Sequence, residues 1–121
     1  ALLRALGEII AAPPALTAQA SIVVVTEPQV TFKGMSFHVQ DYAAAIENML
    51  LAITQMGLAS VWEEGMARSE GRDARIATLL NVPAHKQVVC YLPIGVPQVW
   101  GSPAQRKPFH ERAWFNGYQK K

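Results

Sequence analysis

The chain has 121 residues, which suits one domain with a hydrophobic core of its own. Half of the residues are hydrophobic and only 17% are charged, so we expect part of the apolar surface to meet a partner. The net charge of +2 is too small to favour nucleic-acid binding, and no apolar run is long enough to cross a membrane.

The first forty residues predict a helix, a strand and a loop. Apolar residues at helical spacing run through 2–10, and the prolines at 13 and 14 end that helix because they lack backbone N–H donors. The β-branched run at 20–28, "ASIVVVTEP", predicts a strand buried on both faces. Residues 29–40 predict a loop. Because the chain opens without Met inside a helical pattern, we expect it to be incomplete at its N terminus.

The segment 41–56 predicts a helix that is buried almost all round. Its polar residues recur two in every seven, and the positions between them are Ala, Ile, Leu, Met or Tyr. So narrow a polar stripe favours packing on the chain's own sheet and on another subunit. Asp41 is the expected N-cap and Gly57 the expected left-handed stop.

The remaining regular elements alternate in type. A short strand is predicted at 58–62, an amphipathic helix at 72–82 and a third strand at 86–97. Strands alternating with helices predict a mixed α and β fold, with residues 1–121 as a single domain.

Residues 97–121 predict an extended C-terminal arm. Three prolines exclude a long helix or a central strand, and five aromatic residues argue against a free disordered tail. An arm lying along another surface is compatible with both features, because its rings would provide binding energy.

Most familiar chemistries lack support. The three histidines are far apart in the sequence, so no metal site is predicted. The single cysteine, Cys90, lies in a predicted strand, excludes an internal disulfide and favours a reducing, cytoplasmic compartment. Adjacent Glu63 and Glu64 would point to opposite faces of a continuing strand, so a catalytic carboxylate pair is not expected. From the residues alone, the chain is a partner-binding domain with no identified reaction and no catalytic side chain.

Four stretches resemble the C-terminal part of the nitroreductase-like flavoproteins. In chain order these are "QDYAAAIENMLLAITQMGLASVW", a Glu-Gly turn, "RIATLLNVPAHKQVVCYLPIGVPQ" and "QRKPFHERAWFNGY". The resemblance runs from about Val23 to Tyr118. The family's N-terminal part, with its Arg- and Ser-rich flavin-binding segment, has no counterpart here.

The resemblance implies an α+β fold: a three-layer sandwich with a central mixed sheet flanked by helices, in an intertwined homodimer with a C-terminal arm. It implies FMN as cofactor and NAD(P)H as electron donor. The implied activity passes a hydride through flavin N5 to a nitroaromatic, quinone or similar small-molecule acceptor. A non-catalytic dimerisation or ligand-binding module on the same core, without the flavin site, is the alternative.

The resemblance also implies which residues bind the cofactor. Trp62, Glu63, Glu64 and Gly65 match the turn whose main chain lies beside the flavin ring, although Trp62 departs from the family's residue type. Gly65 would allow close approach of the main chain. Arg106, with Lys107 beside it, matches a basic position that holds the FMN phosphate. Ala104 or Gln105 replaces a further basic residue of the family.

Overall fold

Three strands form the sheet in the computed structural model, which describes residues 1–118. They are β1 (Ala20–Thr26), β2 (Ala59–Ser60) and β3 (Gln87–Gly95), in the order β1-β3-β2. Both pairings are antiparallel. The α+β class is therefore confirmed, but the strands among the described residues do not form the mixed sheet that was expected.

Helices cover both faces of this sheet, as the three-layer expectation requires. They are α1 (Leu2–Ile10), α2 (Pro13–Thr17), α3 (His38–Gln55), α4 (Glu64–Arg68) and α5 (Arg72–Leu79). One hydrophobic cluster joins α1, α2, α4 and α5 to the sheet, and a second cluster joins α3 to the other face. No helix among residues 1–118 has both the length and the apolarity needed to cross a membrane.

Strand β3 is the central strand, and it contributes to both clusters. Tyr91 faces the cluster around α1 and α5, whereas Leu92 faces α3. A β-bulge places Val89 as an extra residue opposite the Val24–Val25 step. Such an insertion shifts the alternation of side chains between the two faces.

The expectation that the first strand is buried on both faces is wrong. Strand β1 lies at the edge of the sheet, and Val24 is its one buried residue. A β-branched run predicts a strand, but strand order depends on contacts far apart in sequence.

Helix α3 differs from its prediction at the start and agrees at the end. The Asp41 amide donates to the Phe37 carbonyl, so the helix begins at His38 and Asp41 lies in its first turn rather than at the N-cap. Gly57 follows the helix at φ +75°, as expected for a left-handed stop.

The expected all-round burial of α3 does not occur within one chain. Tyr42, Ile46 and Ile53 are its buried residues, whereas Leu51 is 60% exposed and Met56, which follows the helix, 73%. An apolar surface therefore remains uncovered by the chain itself.

The chain termini show one missed helix and an exposed arm. Pro13 and Pro14 end α1 but occupy the first turn of α2, where a missing N–H costs nothing. The arm is mostly irregular, with one 3-10 turn at Phe109–Glu111 and a close ring pair between Trp114 and Tyr118. Residues 119–121 of the predicted arm lie outside the described part of the chain.

Candidate functional site

The predicted flavin-contacting residues lie together in the connection between β2 and α4. We call residues Trp62–Gly65 the β2–α4 turn. The Glu63 amide donates to the Tyr91 carbonyl at 3.1 Å, and the Tyr91 amide donates to the Glu63 carbonyl at 3.3 Å. This two-bond bridge fixes the main chain of the turn on the central strand.

The Glu64 carboxylate accepts hydrogen bonds from three side chains. The Tyr42 hydroxyl donates to Oε1 at 2.9 Å, and the Trp62 indole N–H donates to Oε2 at 3.0 Å. The Arg68 guanidinium donates to Oε1 at 2.8 Å, one turn along α4. Three donors on one carboxylate explain why an acidic residue is stable at the edge of an apolar cluster.

This hydrogen-bond set shifts the ionisation of both acidic partners. Burial alone raises the pKa of the Glu64 carboxyl, but the bonds from Tyr42, Trp62 and Arg68 outweigh it and leave the pKa below its usual value. Burial and the bond to Glu64 raise the pKa of the Tyr42 hydroxyl. At neutral pH the network therefore consists of an ionised Glu64 and a neutral Tyr42.

The other two side chains of the turn differ in role. The Trp62 ring is half-buried and packs against the cluster beneath α3, so it anchors the turn as well as donating to Glu64. The Glu63 carboxylate, by contrast, makes no hydrogen bond or ion pair within residues 1–118. Of the adjacent carboxylates, only that of Glu64 is engaged by the fold.

The main chain of the turn is the part of the site that was predicted to meet a flavin ring. The first-turn amides of a helix lack intrahelical partners. In α4 the Ala67 amide donates to the Glu63 carbonyl at 3.4 Å, which is the helical hydrogen bond that reaches back to the turn. Gly65 is exposed, and a Cβ added there would meet no atom within 4 Å. The fold itself therefore does not require glycine at this position, and a flat ligand has room to approach the backbone.

Arg106 and Lys107 lie on the exposed arm. Neither side chain makes a hydrogen bond or ion pair with another described residue, and the Lys107 carbonyl accepts a bond from Arg112 at 2.8 Å. Two uncommitted cations have the right chemistry for a phosphate dianion. No hydrogen bond or ion pair among the described residues joins them to the β2–α4 turn, so such bonds within the chain do not link the two halves of the predicted set.

Two alternative chemistries for the described residues outside the predicted set are metal binding and thiol reactivity. Among residues 1–118, no group of three or more His, Cys, Asp or Glu side chains is placed to hold a metal ion. Cys90 is buried, and burial raises the pKa of its thiol to about 12. A neutral thiol in the sheet is a core residue rather than a nucleophile.

Sequence reasoning missed Tyr42 and Arg68 as partners of Glu64. Arg68 lies four residues after Glu64, so predicting α4 would have indicated that pair. Tyr42 lies 22 residues earlier, and no local pattern connects it to the turn.

Sequence comparisons match this chain to known proteins over most of its length. The model of the nitroreductase family matches residues 9–96. A protein of Archaeoglobus fulgidus with the provisional name NADH dehydrogenase/NAD(P)H nitroreductase is 36% identical over 81 residues. That match covers 67% of this chain and 46% of the relative, so the chain spans about half of the relative's length.

Structure comparisons give the same fold. A Bacteroides thetaiotaomicron protein with the same provisional name is 27% identical, with a TM-score of 0.74 over 95% of this chain and 68% of its own. The NADPH:FMN oxidoreductase of Vibrio harveyi, solved with NAD⁺, is 21% identical, with a TM-score of 0.74 over 98% of this chain and 56% of its own. The FMN-dependent nitroreductase of Clostridium difficile is 18% identical, with a TM-score of 0.75 over 97% of this chain and 70% of its own.

Proposed function

This chain belongs to the nitroreductase family, and we propose that it acts as part of an FMN-dependent NAD(P)H oxidoreductase. FMN would supply the redox chemistry, taking a hydride from NAD(P)H at N5 and delivering it to a nitroaromatic, quinone or similar acceptor. The observation that carries the proposal is the β2–α4 turn. The resemblance assigns this turn to the position beside the flavin ring, and the open space at Gly65 supports that assignment.

The residues of this chain would bind and orient the cofactor rather than take part in bond making. Amides at Glu64 and Gly65 would donate to the ring, and Arg106 with Lys107 would hold the phosphate by charge-assisted bonds. The ionised Glu64 carboxylate is already occupied by Tyr42, Trp62 and Arg68, so we assign no proton transfer to it.

We also propose an intertwined homodimer located in the cytoplasm. The exposed Leu51 of α3, the neighbouring Met56 and the arm's Phe115, 76% exposed, together leave more apolar surface than one chain covers. A second copy would bury that surface, with residues 97–121 as the arm that reaches it. The single cysteine supports a reducing compartment.

Arg106→Ala in the full-length protein tests the phosphate assignment. Removing one charge-assisted bidentate contact should weaken FMN binding by about tenfold or more, while the oligomeric state stays unchanged. FMN affinity is measured by flavin fluorescence titration, with turnover of a nitroaromatic by NAD(P)H as a second readout. Arg4→Ala is the matched control, because Arg4 is an exposed arginine on α1 paired only with Glu8. Equal FMN affinity in both variants would remove Arg106 from the site.

A further inference from the structure

The Glu64 side chain links three separate parts of the fold. Its donors come from α3 (Tyr42), from the β2–α4 turn (Trp62) and from α4 (Arg68). Tyr42 is only 7% exposed and packs in the cluster under α3, so the surrounding side chains hold its ring and hydroxyl in place. The carboxylate therefore connects the start of α4 to a buried anchor 22 residues earlier in the chain.

The main chain on either side of Glu64 is restrained unequally. Glu63 is held on the central strand by its two bonds with Tyr91. Gly65 has no side chain and no neighbour that a Cβ would reach, so nothing packs against it. Residues 64 and 65 open α4, and the Glu64 side chain with its three donors ties this first turn to Tyr42 of α3 and to Trp62.

We propose that Glu64 is a positioning residue, whose carboxylate holds the amides of Glu64 and Gly65 in the direction needed to donate to a flavin ring. This inference rests on the proposed function and deepens it. Because Tyr42, Trp62 and Arg68 already occupy both carboxylate oxygens, Glu64 acts through the main chain of the turn rather than by touching the substrate.

Substitutions at both ends of the network test this role in the full-length protein. Glu64→Ala removes all three bonds, and Tyr42→Phe removes one hydroxyl while keeping the buried ring. Glu64→Gln keeps the size of the side chain but places an amide NH₂ where one of the donors points. The control is Glu47→Gln, because Glu47 is an exposed α3 residue whose carboxylate has no partner among the described residues.

Three readouts separate positioning from general stability. FMN affinity should fall by about tenfold in Glu64→Ala, less in Glu64→Gln and Tyr42→Phe, and not at all in Glu47→Gln. The visible absorption band of bound FMN should shift in the same order, because it responds to hydrogen bonds at the ring. Without FMN, hydrogen exchange at the amides of residues 64–66 should become faster in Glu64→Ala than in wild type.

The outcomes distinguish this inference from the proposed function. If wild type binds FMN and Glu64→Ala binds it with the same affinity and spectrum, the positioning role is overturned and the proposed function stands. If Glu47→Gln lowers FMN affinity as much as Glu64→Gln does, the loss of one negative charge explains both effects. The positioning role is then also overturned. If wild type binds no FMN, the proposed function fails together with the role built on it. Should Glu64→Ala not fold, Tyr42→Phe provides the test. Wild-type FMN affinity and spectrum in Tyr42→Phe would then overturn the positioning role.

Discussion

Replacing Gly65 by alanine separates the needs of the fold from the needs of a cofactor. An added Cβ would meet no protein atom within 4 Å, and the residue lies in the first turn of α4 with an ordinary backbone conformation. Alanine is a better helix former than glycine, so we expect the free energy of unfolding to stay unchanged or rise by about 0.5 kcal/mol. The fold alone therefore gives no reason for this substitution to be harmful.

FMN binding should respond in the opposite way. If the flavin ring lies against the main chain at residue 65, the new methyl group enters space that the ring needs. Overpacking of a close contact costs about 1–3 kcal/mol, which corresponds to a roughly 5- to 150-fold loss of FMN affinity. The assay pairs FMN titration with chemical denaturation of the protein without FMN, so that affinity and stability are measured on the same sample.

Two other glycines serve as controls for Gly65→Ala. A Cβ at Gly101 on the arm would also meet nothing within 4 Å, so Gly101→Ala should change neither stability nor FMN affinity. A Cβ at Gly7 would lie 2.5 Å from the Ala15 carbonyl oxygen, so Gly7→Ala should destabilise the packing of α1 on α2. Wild-type FMN affinity in Gly65→Ala would refute the close approach of a flavin to this turn.

Three further predictions concern the core and the arm. The buried Tyr91 hydroxyl has no hydrogen-bond partner among the described residues. Tyr91→Phe should therefore raise the free energy of unfolding by about 1 kcal/mol, or Tm by about 3–5 °C. A clear loss of stability would show that the hydroxyl has a partner. The buried Cys90 thiol should resist a thiol reagent until the protein unfolds, and labelling as fast as in denaturant would contradict that protection. The free energy of unfolding should fall as the pH rises from 9.0 towards about 12, because between these pH values the thiol ionises only in the unfolded chain. Deleting residues 98–121 should shift the protein towards monomer or aggregate in light scattering, and a stable, soluble dimer after the deletion would refute the arm's role.

Elements fixed by local patterns were predicted well. Gly57 ends α3 in the left-handed conformation, as predicted, and α5 (Arg72–Leu79) lies within the predicted 72–82. Strand β3 occupies Gln87–Gly95 within the predicted 86–97. In each case the deciding interaction lies within a few residues of the signal.

Features that depend on distant contacts were not predicted. Strand β1 carries the composition of a central strand, yet the sheet places it at an edge. Helices α2 and α4 have five residues each, too short to show a hydrophobic period, and the prolines of α2 indicated a break. The match of the β2–α4 turn to a family motif drew attention to Glu64, but its bond to Tyr42 exists only in three dimensions.

The visible absorption spectrum of the purified natural protein, before and after anaerobic addition of NADPH or NADH, tests the central claim most directly. We expect a flavin band that bleaches when the nicotinamide is added. A colourless protein that takes up no added FMN would contradict the oxidoreductase proposal and leave the alternative of a dimerisation or ligand-binding module on the same core.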